Sequence, residues 1–140
     1  MFENYRFIRD QHVVFRDLDF FRHVNNAAYV TWTETVRIEY VLEVLGIALD
    51  ARCSIIMASQ KFDYLYPIGL GEKVSVGVRV SRLGTKSLDL EYEIWSHTAN
   101  TLAVRATNAI VAYDYEAGAA IAIPQDWREK IVAFEPGLSP

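Results

Sequence analysis

The segment FRDLDFFRHVNNAAYVTWTETVRIEYVLEVLG, from Phe15 to Gly46, determines how the rest of the chain is arranged. Its first part is a polar loop that concentrates two carboxylates, one imidazole and two amides, namely Asp17, Asp19, His23, Asn25 and Asn26. The remainder has helical periodicity, with an asparagine as a suitable N-cap and Gly46 as a suitable end. The first N–H groups of a helix lack intrahelical acceptors and the dipole there favours negative charge. This junction therefore predicts a site where a carbonyl oxygen is stabilised as it becomes negative.

The predicted helix is apolar over most of its circumference. At a helical period its polar positions fall on one stripe, formed by Thr31, Thr35, Glu39 and Glu43. A helix with this pattern is expected to be buried on most sides. Glu34 and Arg37 lie within the apolar arc at i, i+3 spacing, which allows them to pair. They form either a structural ion pair under a sheet, or a pair in which Glu34 reaches the site and places a base or a water.

Most of the chain after the helix alternates between apolar and polar residues, as half-buried antiparallel strands do. The clearest case is Lys73–Arg82, where four valines alternate with serine, glycine and arginine. Residues 5–16 are predicted to form one strand, or a short strand with a kink. The long helix follows, then strands at 54–66, 73–82, 87–96 and 102–115, and a short helix from Pro124. The fold class is α+β, with a curled antiparallel sheet wrapped around one long helix. Because such a sheet leaves edges open, pairing with a second copy is expected.

Size and composition favour a single globular domain over residues 1–140. Apolar residues make up 51% of the chain, and the net charge of −4 argues against a nucleic-acid partner. No stretch approaches the ~20 apolar residues of a membrane span. Cys53 is the only cysteine, so an internal disulfide is impossible and a reducing, cytoplasmic location is expected. His12 and His97 have no second ligand at metal spacing, and no glycine-rich phosphate loop precedes a helix, so we predict neither metal nor cofactor.

The string Asp17-Leu18-Asp19, then His23-Val24-Asn25-Asn26, then Tyr29, Trp32, Glu34 and Arg37, resembles the hotdog-fold acyl thioesterases. The branches that it resembles are the 4-hydroxybenzoyl-CoA thioesterase-like and YbgC-like acyl-CoA thioesterases, and also the plant acyl-carrier-protein thioesterases. Specific residues match over about the first third of the chain. Tyr64 and Pro67 are weaker matches further on.

The resemblance implies a homodimer, or a dimer of dimers, whose sheets pair edge to edge and whose active sites lie at the interface. It maps the catalytic carboxylate onto Asp19, as nucleophile or as general base, and an assisting histidine onto His23. Backbone N–H groups around Val24, Asn25, Asn26 and Ala27 would polarise the thioester carbonyl. Asp17 would be a loop brace. Tyr29 would belong to the core or to the wall of an acyl pocket.

Two positions depart from the family pattern. Arg22 stands where the hydroxybenzoyl-CoA branch has glycine, and Phe21 stands where the carrier-protein branch has a functional asparagine. The first departure leaves open which N–H group contacts the oxyanion, and the second removes the asparagine's role. Both keep a non-catalytic acyl-thioester-binding protein as an alternative to an enzyme.

The implied substrate is an acyl-CoA or an acyl-carrier protein. CoA phosphates would need surface cations, and Arg79, Arg82 and Lys86 flank one predicted hairpin. Alternatively, these three cations belong to an ordinary solvated face of the strands. A hotdog dehydratase ranks last, since the paired histidine and glutamate of that family are not evident. No G-x-S-x-G surrounds any serine, so an α/β-hydrolase triad is not supported.

Overall fold

The computed structural model describes the whole chain, Met1–Pro140. In chain order it contains β1 (Phe7–Gln11), α1 (Asn26–Tyr40), β2 (Cys53–Tyr64), β3 (Val74–Leu83), β4 (Ser87–Ser96), β5 (Thr101–Asp114), β6 (Ala119–Ala120) and α2 (Gln125–Phe134). A short 3-10 turn spans Phe15–Asp17, and a π-helical turn, Val41–Leu45, extends α1. None of the helices is both long and apolar enough to cross a bilayer.

The ends of the long helix are set by the residues that the sequence indicated. Asn25 is the N-cap, and its side-chain oxygen accepts the N–H of Ala27 at 2.7 Å. Gly46 ends the π-helical turn in a left-handed conformation, with φ of 68°. Glycine adopts that region without a Cβ penalty, so the helix stops there.

The strands form one antiparallel sheet in the order β1-β3-β4-β5-β2, with β6 paired to the end of β5. The sheet curls into a half-barrel around α1, which confirms the predicted α+β hotdog architecture. β2 pairs with β5 along one side only, and its other side is a free edge twelve residues long. A free edge of that length offers a row of unpaired N–H and C=O groups to another strand.

The core lies between the inner face of the sheet and α1. The inward positions of β3 and β4 are those that alternation predicts, including Val76, Val78, Leu90 and Ile94, none of them more than 2% exposed. The helix contributes Tyr29, Trp32, Val36 and Tyr40, which are all buried. On its polar stripe, Arg9 from β1 forms ion pairs with Glu39 and Glu43. Cys53 packs against the edge of this core.

The first strand is the shorter of the two predicted alternatives. Residues 5–16 are not one continuous strand, because β1 covers only Phe7–Gln11. Gln11 pairs with Val74, the first residue of β3, so residues beyond Gln11 have no partner strand. The chain turns instead, and the N–H of Val14 donates to Asp17 Oδ2 at 2.9 Å.

Candidate active site

The polar loop before α1 is closed by its own backbone. The N–H of Asp19 donates to the carbonyl of His23 at 2.8 Å, and the N–H of Arg22 donates to the carbonyl of Asp19 at 3.1 Å. Arg22 has a φ of 66°, in the left-handed region. Glycine is the residue that adopts this region most readily. The backbone at Arg22 therefore has a conformation that favours glycine, the residue found at this position in the hydroxybenzoyl-CoA branch.

One oxygen of the Asp19 carboxylate is fixed and the other is free. Oδ1 accepts the N–H of Phe21 at 2.8 Å and the N–H of His23 at 3.4 Å. Oδ2 has no hydrogen-bond partner, and the residue is exposed in the single chain. The backbone thus holds the side chain in place while leaving one oxygen available to a thioester or a water.

The other aspartate of the pair contacts the loop backbone. Asp17 accepts the N–H of Val14 through its side chain, and its carbonyl accepts the N–H of Asn25 at 2.8 Å. These contacts give Asp17 the position expected of a brace between the 3-10 turn and the helix cap.

A second segment, Tyr64–Glu72, packs against the loop. The N–H of Val24 donates to the carbonyl of Ile68 at 2.8 Å, and His23 forms an isolated bridge with Gly69. The Glu72 carboxylate accepts the N–H of Gly69 at 2.6 Å and, through its other oxygen, the hydroxyl of Ser96. Glu72 therefore connects the end of β4 to the backbone that holds His23. Glu72 was not among the predicted site residues, because its partner Ser96 lies on β4, 24 residues further along the chain, and no local pattern marks that contact.

A cavity of about 310 Å³ lies where the loop and this segment meet. It is lined by Asp19, His23, Val24, Asn26, Tyr29 and the stretch Tyr64–Pro67. The His23 ring makes no hydrogen bond, so both of its nitrogens are available to a ligand. The structure thus brings together Asp19, His23 and Tyr29 as predicted, and adds the wall 64–67, which the sequence suggested only through Tyr64 and Pro67.

Tyr29 belongs both to the core and to the cavity wall. It is 3% exposed, and its ring packs edge-on against Trp32 and tilted against Tyr64. Burial, the largest cause, raises the pKa of Tyr29 above its ordinary value. Its phenol is consequently neutral at physiological pH and presents an apolar ring to the cavity.

The set of free N–H groups is narrower than expected. Those of Val24, Asn25 and Ala27 already donate to Ile68, to Asp17 and to the Asn25 side chain. The N–H of Asn26, the first residue of α1, has no acceptor in the chain. Asn26 also lines the cavity, so its N–H is the helix-terminal donor that remains for an oxyanion.

Glu34 does not reach this cavity, which corrects its predicted supporting role. It lies eight residues beyond Asn26 on α1, about 12 Å along the axis at ~1.5 Å per residue. Its carboxylate is 3.9 Å from Arg37 Nη2 and lines a different cavity. The geometry therefore fits a structural ion pair between Glu34 and Arg37, and not a Glu34 that reaches the Asp19 site.

The cations suggested for the CoA phosphates also lie away from this cavity. Arg79 is bound to Glu91 and Arg82 to Asp89, in cross-strand ion pairs on the outer face of the sheet. Lys86 is exposed in the turn between those strands. None of the three lines the cavity, and two are already neutralised by carboxylates. The chain also brings together no group of three or more His, Cys, Asp and Glu side chains that could hold a metal ion.

A fixed carboxylate, an unpartnered imidazole and a free helix-terminal N–H around one cavity are the groups needed to add water to an activated carbonyl. The model of the thioesterase-like superfamily matches residues 13–131. The chain belongs to the thioesterase-like superfamily, as the motif at Asp17–Arg37 predicted.

Three relatives illustrate the similarity. A thioesterase from Thermus thermophilus, complexed with coenzyme A and Zn, is 32% identical with a TM-score of 0.82, covering 94% of this chain and 95% of that one. The PA5185 protein from Pseudomonas aeruginosa strain PAO1 is 23% identical with a TM-score of 0.87, over 99% and 97% of the chains, and shows the shared fold. The uncharacterized protein YsmA of Bacillus subtilis (strain 168) is 30% identical over 89 residues. That match covers 64% of this chain and spans 60% of the length of this curated relative.

Proposed function

We propose that the protein hydrolyses an acyl-CoA thioester to the free acid and CoA. The observation that supports this most directly is the Asp19 carboxylate, held by two backbone N–H groups at the mouth of a cavity that also contains His23. Membership of the thioesterase-like superfamily and the similarity to a CoA-bound thioesterase support the same reaction.

In the proposed reaction the thioester carbonyl lies between Asp19 and the first turn of α1. Asp19 Oδ2 takes a proton from the water that adds to the carbonyl carbon, or it attacks that carbon itself and forms an acyl anhydride, which water then hydrolyses to the free acid. The N–H of Asn26 donates to the carbonyl oxygen as it becomes negative, and the helix dipole acts in the same sense. His23 assists by holding the water or the thioester. The C–S bond breaks, and CoA leaves as the thiol after taking up the proton that came from the water.

A second copy of the chain completes the site in this proposal. In the single chain Asp19 is exposed, as are Phe20, Phe21 and Tyr64, at 92%, 73% and 47% for the three aromatic residues. Tyr64 belongs to β2, whose outer edge is free. Pairing of two β2 edges in a dimer, or in a dimer of dimers, would bring a partner surface over these residues. The proposal includes a cytoplasmic location, where acyl-CoA is available.

The test is Asp19→Asn, which keeps the size of the side chain and removes its charge. We expect hydrolysis across a panel of aromatic and aliphatic acyl-CoAs to fall at least ~10²-fold, as when a general base is lost. Asp126→Asn is the matched control, because Asp126 is an exposed carboxylate on α2 that does not line the cavity and pairs only with Lys130 at 4.0 Å. Hydrolysis by Asp19→Asn within a few-fold of the original protein would reject the assignment.

The same panel tests the alternatives. Acyl-carrier-protein substrates in parallel assays separate the two carriers, since a carrier-protein thioesterase would prefer them over the matched acyl-CoA. Tight binding of acyl-CoA without turnover would favour the non-catalytic binding protein, to which the departures at Phe21 and Arg22 point.

A further inference from the structure

A second cavity lies towards the C-terminal end of α1, between the helix and β2. Its volume is about 240 Å³, and eight of its eleven lining residues are hydrophobic, among them Ile38, Leu42, Ile55 and Met57. Ile38 and Leu42 belong to the apolar arc of the helix, yet they are 40% and 38% exposed. An open apolar cavity with few polar groups is the usual form of a small-molecule site.

Three polar residues line this cavity, Glu34, Arg37 and Ser54, and the hydrogen-bonding capacity of Arg37 is mostly unused. Its side chain is 11% exposed, and its only hydrogen bond runs from Nη1 to the Tyr92 hydroxyl at 3.2 Å. Nη2 is 3.9 Å from Glu34 Oε2, which is too long for a hydrogen bond. A guanidinium has five N–H donors and no acceptor. The cavity therefore presents free donors that a ligand oxygen would satisfy.

The charges around Arg37 favour a neutral oxygen over a carboxylate. Glu34 already supplies one negative charge beside the guanidinium. Burial, the largest cause, raises the pKa of Tyr92, so the phenol stays neutral. Its oxygen also receives a hydrogen bond from Asn108 at 3.0 Å, and Asn108 Oδ1 is buried without a partner. A hydroxyl, which accepts from Arg37 and adds no charge, fits this wall better than an anion.

The two cavities lie along the same pair of elements. Asn26 and Tyr29 line the Asp19 cavity, and Glu34 and Arg37 line the second one. The eight residues from Tyr29 to Arg37 correspond to about 12 Å along α1, at ~1.5 Å per residue. β2 contributes Tyr64 to the first cavity and Met57 to the second. One extended acyl group could therefore have its thioester at Asp19 and its far end beside Arg37.

We propose that the second cavity binds the far end of an extended acyl group that carries a hydroxyl, with Arg37 as the residue that recognises this hydroxyl. The inference rests on the proposed function, since it takes the thioester to lie at Asp19. It adds a substrate class, the long hydroxyacyl thioesters, and a specificity-determining residue.

The experiment measures binding with CoA thioethers, which cannot be hydrolysed. Their alkyl groups are about 12 Å long, to match the helical rise between the cavities, and end in a methyl, a hydroxyl or a carboxylate. By isothermal titration calorimetry we expect the hydroxyl-ended thioether to bind the original protein more tightly than the other two. Arg37→Met keeps an apolar stem, and it should reduce that preference by about tenfold, as expected for a hydrogen bond to a charged donor. Arg105→Met, on an exposed position of β5, should leave the preference unchanged.

Three results would overturn the proposal: equal binding of the methyl and hydroxyl forms, tighter binding of the carboxylate form, or an unchanged preference in Arg37→Met. Should Arg37→Met fail to fold, Ile38→Trp tests whether the long acyl group occupies this cavity, because Ile38 lines the cavity, is 40% exposed, and a larger side chain there fills the space. This substitution should weaken the binding of the long thioethers and leave the binding of an acetyl-length thioether unchanged. If it instead dissociates the oligomer and leaves the long thioethers bound, a second copy occupies the cavity and the proposal fails.

The same design separates this proposal from the proposed function. Binding of thioethers does not need hydrolysis, so a protein that hydrolyses no acyl-CoA but shows the Arg37-dependent preference would refute only the reaction. A protein that hydrolyses acyl-CoA without that preference would refute only the hydroxyl site.

Discussion

Replacing Glu72 with alanine tests whether a residue outside the cavity holds the active-site loop in place. Glu72 accepts the N–H of Gly69 and the hydroxyl of Ser96, and Gly69 pairs with the backbone of His23. The segment that it anchors also supplies the wall Tyr64–Pro67 of the Asp19 cavity. Loss of the carboxylate therefore acts on stability and on the site together.

The expected loss of stability follows from the two short hydrogen bonds, since the third, from the Tyr66 hydroxyl, is 3.5 Å long. Each bond to a charged group contributes about 1.5–3 kcal/mol, and a buried group left unpaired costs its desolvation as well. Ser96 is fully buried, whereas Glu72 is only half-buried, so the lower part of the range applies. We expect Glu72→Ala to lower the free energy of unfolding by about 3 kcal/mol. Glu72→Gln keeps one acceptor for Gly69 and should cost about 1 kcal/mol.

Urea denaturation measures the stability, and hydrolysis of the best acyl-CoA of the panel measures the site. The activity of folded Glu72→Ala should fall by at least about tenfold, because a displaced loop loses its alignment with the substrate. Glu129→Ala is the matched control, since Glu129 is exposed on α2 and its side chain contacts only Gln125. The reasoning is refuted if Glu72→Ala unfolds within about 0.5 kcal/mol of the original protein, the range of ordinary surface substitutions.

Three further predictions concern single residues. The bond from Arg52 lowers the pKa of Asp114 to about 2, so the stability that this pair contributes is present above pH 3.8 and lost as the pH falls towards 2; thermal melts across that range should be flatter for Asp114→Asn. Arg22→Gly should be about 1 kcal/mol more stable than Arg22→Ala by urea denaturation, because φ at this position is 66°; equal midpoints would show that the loop relaxes. Tyr40→Phe should cost about 2 kcal/mol, since it removes the 2.7 Å hydrogen bond to the buried Glu135, and unchanged stability would indicate that water replaces the hydroxyl.

The helix and the four long strands could be predicted because each has a strong period in its own residues. Valines alternate through β3, and α1 has an apolar arc bounded by Asn25 and Gly46. The length of β1 could not be predicted in this way. It is set by where β3 begins, at Val74, and that limit is a contact between distant parts of the chain.

The residues of the candidate site also fall into those that local sequence identifies and those that only tertiary contacts define. Asp19, His23 and Tyr29 were identified because they lie close together in sequence, in a motif that resembles a family pattern. Glu72 was not identified, because it joins Gly69 to Ser96 on a distant strand, and the sequence near Glu72 does not show that contact. Which N–H group is free also depended on tertiary contacts, because Val24 is occupied by the carbonyl of Ile68, a residue far along the chain. Sequence patterns therefore located the candidate side chains of the proposed site, and the hydrogen-bonding network determines which of their atoms remain free.

In the proposed reaction the free oxygen of Asp19 must lose its contact with water before it can act on the thioester. In the single chain, water solvates the free oxygen of Asp19, and a solvated carboxylate is a weak base and a weak nucleophile towards a thioester. Electrostatic interactions with a developing oxyanion are also weak while water fills the cavity. The exposed rings of Phe20, Phe21 and Tyr64 surround this position, and the free edge of β2 adjoins it. A partner or a bound acyl group that covers these rings would expel water from the carboxylate and strengthen its interaction with the substrate. In this proposal the exposed rings of Phe20 and Phe21, together with the exposed part of Tyr64, are the surface that closes the site.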